Sequence, residues 1–111
     1  MSGIGGCRSS GDFTADTLLF TGSGKLTSIT GMSFVTTGPT VDNAAFMVLH
    51  DCLNAGAATA ANTIGILYVG PTATASNFAE ADMHGVTFKN GIFAEVTHLA
   101  GTATKFLVTF N

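Results

Sequence analysis

Val86-Thr87-Phe88-Lys89-Asn90-Gly91-Ile92-Phe93-Ala94-Glu95-Val96 is the stretch on which the fold of this chain turns. Two runs rich in β-branched and aromatic residues flank an Asn-Gly dipeptide, and Asn-Gly tolerates the positive φ angles of a tight two-residue turn. The stretch therefore predicts a β-hairpin. Downstream, residues 98–104 are a Gly/Ala/Thr turn, and residues 105–111 put Phe106, Val108 and Phe110 at alternate positions, as a strand with one apolar face requires.

Upstream of the hairpin the same period recurs. Residues 63–70 carry Ile64, Ile66 and Tyr68 on one side of the pleat and stop at Gly70-Pro71. In residues 44–51, Phe46, Val48 and His50 share one face and Met47, Leu49 and Asp51 the other, so the strand is apolar on both sides for most of its length and is expected to be central. Leu26, Met32 and Phe34 share one parity and Ile29 and Val35 the other, which predicts a bulge or bend near Gly31. Thr17-Leu18-Leu19-Phe20-Thr21, closed by Gly22-Ser23-Gly24, is the first strand and its turn. Residues 52–61 are Ala-rich, but Asn54, Gly56, Thr59 and Asn62 interrupt them without a helical apolar stripe, so they are expected to form a loop. Gly38-Pro39-Thr40 and residues 72–77 break or connect strands, and the Gly/Ser-rich residues 1–11 are expected to have no fold of their own.

Six to eight short strands and no helix define an all-β protein: a single small β-sandwich, jelly-roll-like or immunoglobulin-like. The chain has no Trp, so the Cys-Trp-Cys arrangement of immunoglobulin domains is missing and the jelly roll is favoured. Residues 1–21 are expected as an extended N-terminal arm and first strand, and residues 22–111 as the sandwich domain.

Composition bounds the function. Of 111 residues 46% are hydrophobic and only 10% charged, against about 25% charged in an average domain. A folded body with so few charges has little to keep it apart from its neighbours, which predicts self-association. Arg8, Lys25, Lys89 and Lys105 are scattered, so direct nucleic-acid binding is not expected. Neither a membrane-spanning run nor a signal peptide is legible, which predicts a soluble protein made in the cytoplasm. There Cys7 and Cys52 are expected as free thiols.

Residues suited to chemistry are few. His50, His84 and His98 form no close metal-ligating pair, and the alternating Glu80, Asp82 and His84 are better read as a solvated strand face than as a cation site. His50-Asp51 is expected as an edge or capping pair. No Gly-x-Ser-x-Gly elbow or phosphate loop is present, so no nucleophile, catalytic residue, metal or cofactor is expected. Sugar platforms are commonly aromatic, but the chain has one Tyr, and its nine Phe fall mostly at positions with core parity.

Gly24-Lys25-Leu26-Thr27-Ser28-Ile29, Val48-Leu49-His50-Asp51, and the run from Val86 to Val96 followed by a β C-terminus together resemble small virion structural proteins of tailed bacteriophages. The resemblance covers residues 22–111, and His50 stands where that group more often has an aromatic. It implies a non-enzymatic capsid decoration (cement) protein on the virion surface, a homo-oligomer, with the trimer favoured, that binds the major capsid protein and braces the shell. Phe13, Leu18, Leu19 and Phe20, the apolar residues of the expected arm and first strand, are the expected self-assembly or capsid contacts. The alternatives are another multi-copy virion component, such as a tail, adaptor or spike-base protein, or a carbohydrate-binding surface module.

Overall fold

The structure is a computed structural model, and it describes residues 7–33, 43–70 and 77–111. Eight strands follow one another: β1 (Arg8–Phe13), β2 (Thr17–Thr21), β3 (Gly24–Ser33), β4 (Ala44–His50), β5 (Thr63–Val69), β6 (Asn77–Phe88), β7 (Gly91–Ala100) and β8 (Lys105–Phe110). They form two four-stranded antiparallel sheets, in the order β1-β8-β3-β6 (sheet A) and β2-β7-β4-β5 (sheet B). The first strand pairs with the eighth, the second with the seventh, the third with the sixth and the fourth with the fifth. That nesting is one long antiparallel ribbon rolled on itself, the jelly-roll order rather than the immunoglobulin one.

The core lies between the sheets. Sheet A contributes Leu26, Ile29, Phe88, Phe106, Val108 and Phe110, and sheet B contributes Ala45, Met47, Leu49, Leu67, Val69, Ile92 and Ala94, all buried. The expected alternation of Phe106, Val108 and Phe110 holds, and β4 is a central strand as its two apolar faces predicted. Phe20, Phe88 and Phe110 meet at one end of the core with ring centroids 4.9–6.3 Å apart, in tilted and edge-on geometries. Residues 52–61 form the expected loop, with two 3₁₀ turns at Ala55–Ala57 and Ala60–Asn62.

Four expectations change. The stretch from Val86 to Val96 holds two strands, but they are not a hairpin: β6 pairs with β3 in sheet A, and β7 pairs with β2 and β4 in sheet B. Lys89-Asn90 is a corner that carries the chain across the sandwich, and neither Asn90 nor Gly91 has a positive φ. What selects Gly91 is close approach, since a Cβ there would lie 2.5 Å from the Phe20 carbonyl oxygen.

Second, the irregularity in β3 lies between Leu26 and Ser28, not at Gly31. It lets Leu26 and Ile29, of opposite parity, both point inward, while Gly31 continues regular pairing beneath Val69 and Phe106. Third, residues 8–21 are part of the sandwich, with β1 on the edge of sheet A and β2 on the edge of sheet B. The polar run Arg8–Phe13 is held by β8 pairing and by Ser10 Oγ, which accepts the Val108 N–H at 3.0 Å. Fourth, β6 begins at Asn77, which leaves residues 72–76 of the expected polar connection. Those residues, the leader residues 1–6, Phe34, Val35 and Gly38-Pro39-Thr40 lie outside the described residues.

Candidate assembly surface

Each sheet turns one face to the core and one outward, and the two outward faces differ in charge. The strands of sheet A carry Arg8, Asp12, Lys25, Glu80, Asp82 and Lys105; those of sheet B carry, besides two histidines, only Glu95. Even that carboxylate is engaged, with Oε1 2.7 Å from Nε2 of the buried His50.

The outer face of sheet B is therefore apolar. Ile66 is 62% and Tyr68 53% exposed on β5, and their cross-strand partners on β4 are the half-buried Val48 and Phe46. Across β7, beyond the buried Phe93, Leu18 of β2 is 43% exposed, and Leu99 is exposed at the far end of β7. The parity of Ile64, Ile66 and Tyr68 was legible in the sequence; their side was not. Leu67 and Val69, at the odd positions, took the core. Sheet A is hydrogen-bonded outside, as in Ser28 to Thr109 at 2.6 Å; its exposed apolar side chains are Phe78 and Met32, which edge a shallow depression beside the Asp12–Lys105 pair, and Val86 farther along β6.

Of the four expected contact residues, Leu18 alone is exposed. Phe13, Leu19 and Phe20 pack on their own chain's core, Phe13 against Phe106 and Phe20 against Phe88 and Phe110, with the Arg8 guanidinium over the Phe20 ring at 5.5 Å. The sequence offered no sign of this, because β2 is irregular between Leu18 and Phe20 and simple alternation fails there.

The residues suited to chemistry hold the fold. His50 lies under the 51–62 loop. Asn62 is oriented by donating Nδ2–H to the Ala57 carbonyl (2.8 Å) and accepting the Thr59 N–H (3.0 Å), so its Oδ1 faces His50. Nδ1 of His50 therefore donates, to Asn62 Oδ1 at 2.9 Å and Thr59 O at 3.0 Å. Next to it, Asp51 takes the N–H groups of Lys89, Asn90 and Gly91 at 2.9, 2.7 and 3.3 Å. The expected capping role of Asp51 is thus found, but on the corner between β6 and β7. Burial alone would raise its pKa; the backbone donors Asn90, Lys89 and Gly91, helped by the Lys89 charge, outweigh that and hold it below the usual carboxylate range.

His98 donates through Nε2 to the Thr14 carbonyl at 2.6 Å, and Asp16 accepts the Val96 N–H at 2.8 Å, so both tie the β1–β2 link to β7. Glu80, Asp82 and His84 lie exposed along β6. Asp82 Oδ1 accepts the His84 N–H at 2.9 Å, steadying a bulge at which His84 and Gly85 both have positive φ (51° and 74°). Among the described residues no three of His, Cys, Asp and Glu stand close enough to hold a metal ion. Cys7 is exposed and Cys52 buried, and neither is in a disulfide. No family model, no curated protein and no solved structure matches the chain.

Proposed function

We propose that this chain is a non-enzymatic structural component of a virion, a capsid decoration (cement) protein that binds the head surface and stabilises the shell. The observation that carries the reading is the segregation of charge: six charged residues in the strands of sheet A and one in those of sheet B, leaving an outward apolar face. A face of that kind on a small sandwich is a contact surface for other protein. The likeness of the Gly24–Ile29, Val48–Asp51 and Val86–Val96 segments to phage virion proteins supplies the kind of protein. Many copies, each bound weakly, reinforce a shell through avidity, which needs no reaction centre.

On this reading Leu18 meets the major capsid protein, while Phe13, Leu19 and Phe20 serve the fold of the first two strands. Co-sedimentation with undecorated capsids of the virus that carries it tests the reading, together with the mass of the free chain, which checks the trimer that the resemblance implies. Saturable binding that Leu18→Asp weakens supports it. A chain that binds no capsid overturns it.

A further inference from the structure

Every sandwich has four sheet edges, and an edge strand presents unpaired N–H and C=O groups that another strand can take up. Three of the edges here are guarded. β1 has an irregularity between Ser9 and Asp12, a positive-φ Gly11 and two charged residues, Arg8 and Asp12. β2 is only five residues long and irregular between Leu18 and Phe20. β6 carries Glu80 and Asp82 and is interrupted by the His84-Gly85 bulge.

β5 is the least defended, its one irregularity against β4 lying at its start, between Thr63 and Gly65. Its seven residues, TIGILYV, include no charge and no proline, and its register with β4 is continuous from Ala45–Val69 to Leu49–Gly65. Among the described residues no strand lies beyond it in sheet B. It also carries two apolar side chains that are more than half exposed, Ile66 and Tyr68.

We infer that β5 is a self-association edge: two copies of this chain pair their β5 strands antiparallel about a twofold axis, joining the two sheets B into one eight-stranded sheet. A second copy is the occupant because an uncharged edge meets its own image without repulsion, and an antiparallel strand pair is self-complementary about a twofold axis. With the axis at Leu67, Ile66 lies opposite Tyr68 of the second copy, and Tyr68 opposite its Ile66. Aromatic to β-branched pairs of this kind are the favourable cross-strand pairs, and both are on the outer face. The edge is short compared with the roughly 1,200 Å² or more buried in a stable free complex, so the dimer is a weak one, populated at high protein concentration or where a scaffold crowds copies together. The contact is twofold, unlike the trimer expected from the resemblance, and it does not depend on the capsid reading: dimers without capsid binding would sink only that reading, and capsid binding without dimers only this one.

The test is sedimentation velocity of the whole chain over a concentration series, with two charge variants, Ile66→Lys/Tyr68→Lys and Ile66→Glu/Tyr68→Glu. Both positions are more than half exposed, so the fold is expected to persist, and far-UV circular dichroism checks it. The wild type should move from monomer to dimer with concentration. Each variant alone puts like charges opposite one another and should associate roughly tenfold or more weakly, whereas an equimolar mixture should regain dimers as Lys–Glu pairs form. A wild type that stays monomeric at its solubility limit overturns the inference. So do variants that associate as the wild type does, or a mixture no more associated than its components.

Discussion

Sheet A and sheet B have the same number of strands and share one core, yet six charged residues lie in the strands of one and one in those of the other. The core needs no such asymmetry, because both inner faces are equally apolar. The difference therefore lies in the outer faces, charged on sheet A and largely apolar on sheet B.

The comparison can be broken first where the sheets are joined. Gly91→Ala would push a Cβ to 2.5 Å from the Phe20 carbonyl oxygen and 2.8 Å from Leu53 Cδ2, and should cost about 3 kcal/mol. Urea unfolding should still be one transition, at a lower midpoint; two separate transitions would mean that the sheets are not a single cooperative unit. Asp51→Ala removes the acceptor of three corner N–H groups and should cost about 2 kcal/mol by the same measurement.

Asp51 also fixes a pH dependence. Its pKa is lower in the folded chain than the ordinary value of 3.8, so its contribution is fully present above that value and is lost as pH falls through the folded pKa. The stability gap between wild type and Asp51→Asn should be level from neutral pH down to about pH 5 and close only below 3.8. A gap that closed near neutrality would mean that another group controls it.

Matched insertions sharpen the contrast between the faces. Val48→Glu puts a second acid beside Glu95 in the middle of sheet B and should lower stability by about 1 kcal/mol. Thr30→Lys, between Leu107 and Glu80 in sheet A, should stay within about 0.5 kcal/mol of wild type in thermal unfolding. Equal costs at the two sites would remove the distinction. The smallest effect expected is for Asn90→Ala, below about 0.5 kcal/mol, because Asn90 lacks the positive φ that a hairpin turn would have demanded.

That last position shows where the sequence could be read and where it could not. Strand identity was legible from period and composition: residues 17–21 fall where a short apolar run put them, and residues 44–50, 63–69 and 105–110 where the strand period did. The partners were not, because Asn-Gly is compatible with a hairpin, and a carboxylate 39 residues away in sequence, on Asp51, decides that the chain turns across the sandwich instead. β1 escaped notice since Arg-Ser-Ser-Gly-Asp-Phe has no apolar period and is held by backbone pairing with β8. The assembly surface was half legible. The low charge pointed to covered surface, but its concentration on sheet B depends on which strands share a sheet, and the irregularity in β2 that turns both Leu19 and Phe20 toward the core leaves no mark in composition.

The nesting of first strand with last has a consequence for the time course of folding. Arg8 pairs with Phe110, and β8 lies between β1 and β3, so sheet A has a gap at its centre until the last strand is in place. Contacts this distant along the chain must be closed before they bring any gain, which places such topologies among the slow-folding two-state domains. During synthesis the early strands must wait for β8 with β1 and β3 unpaired on the sides it will fill, and it is in this interval that the chain is most exposed to misassociation.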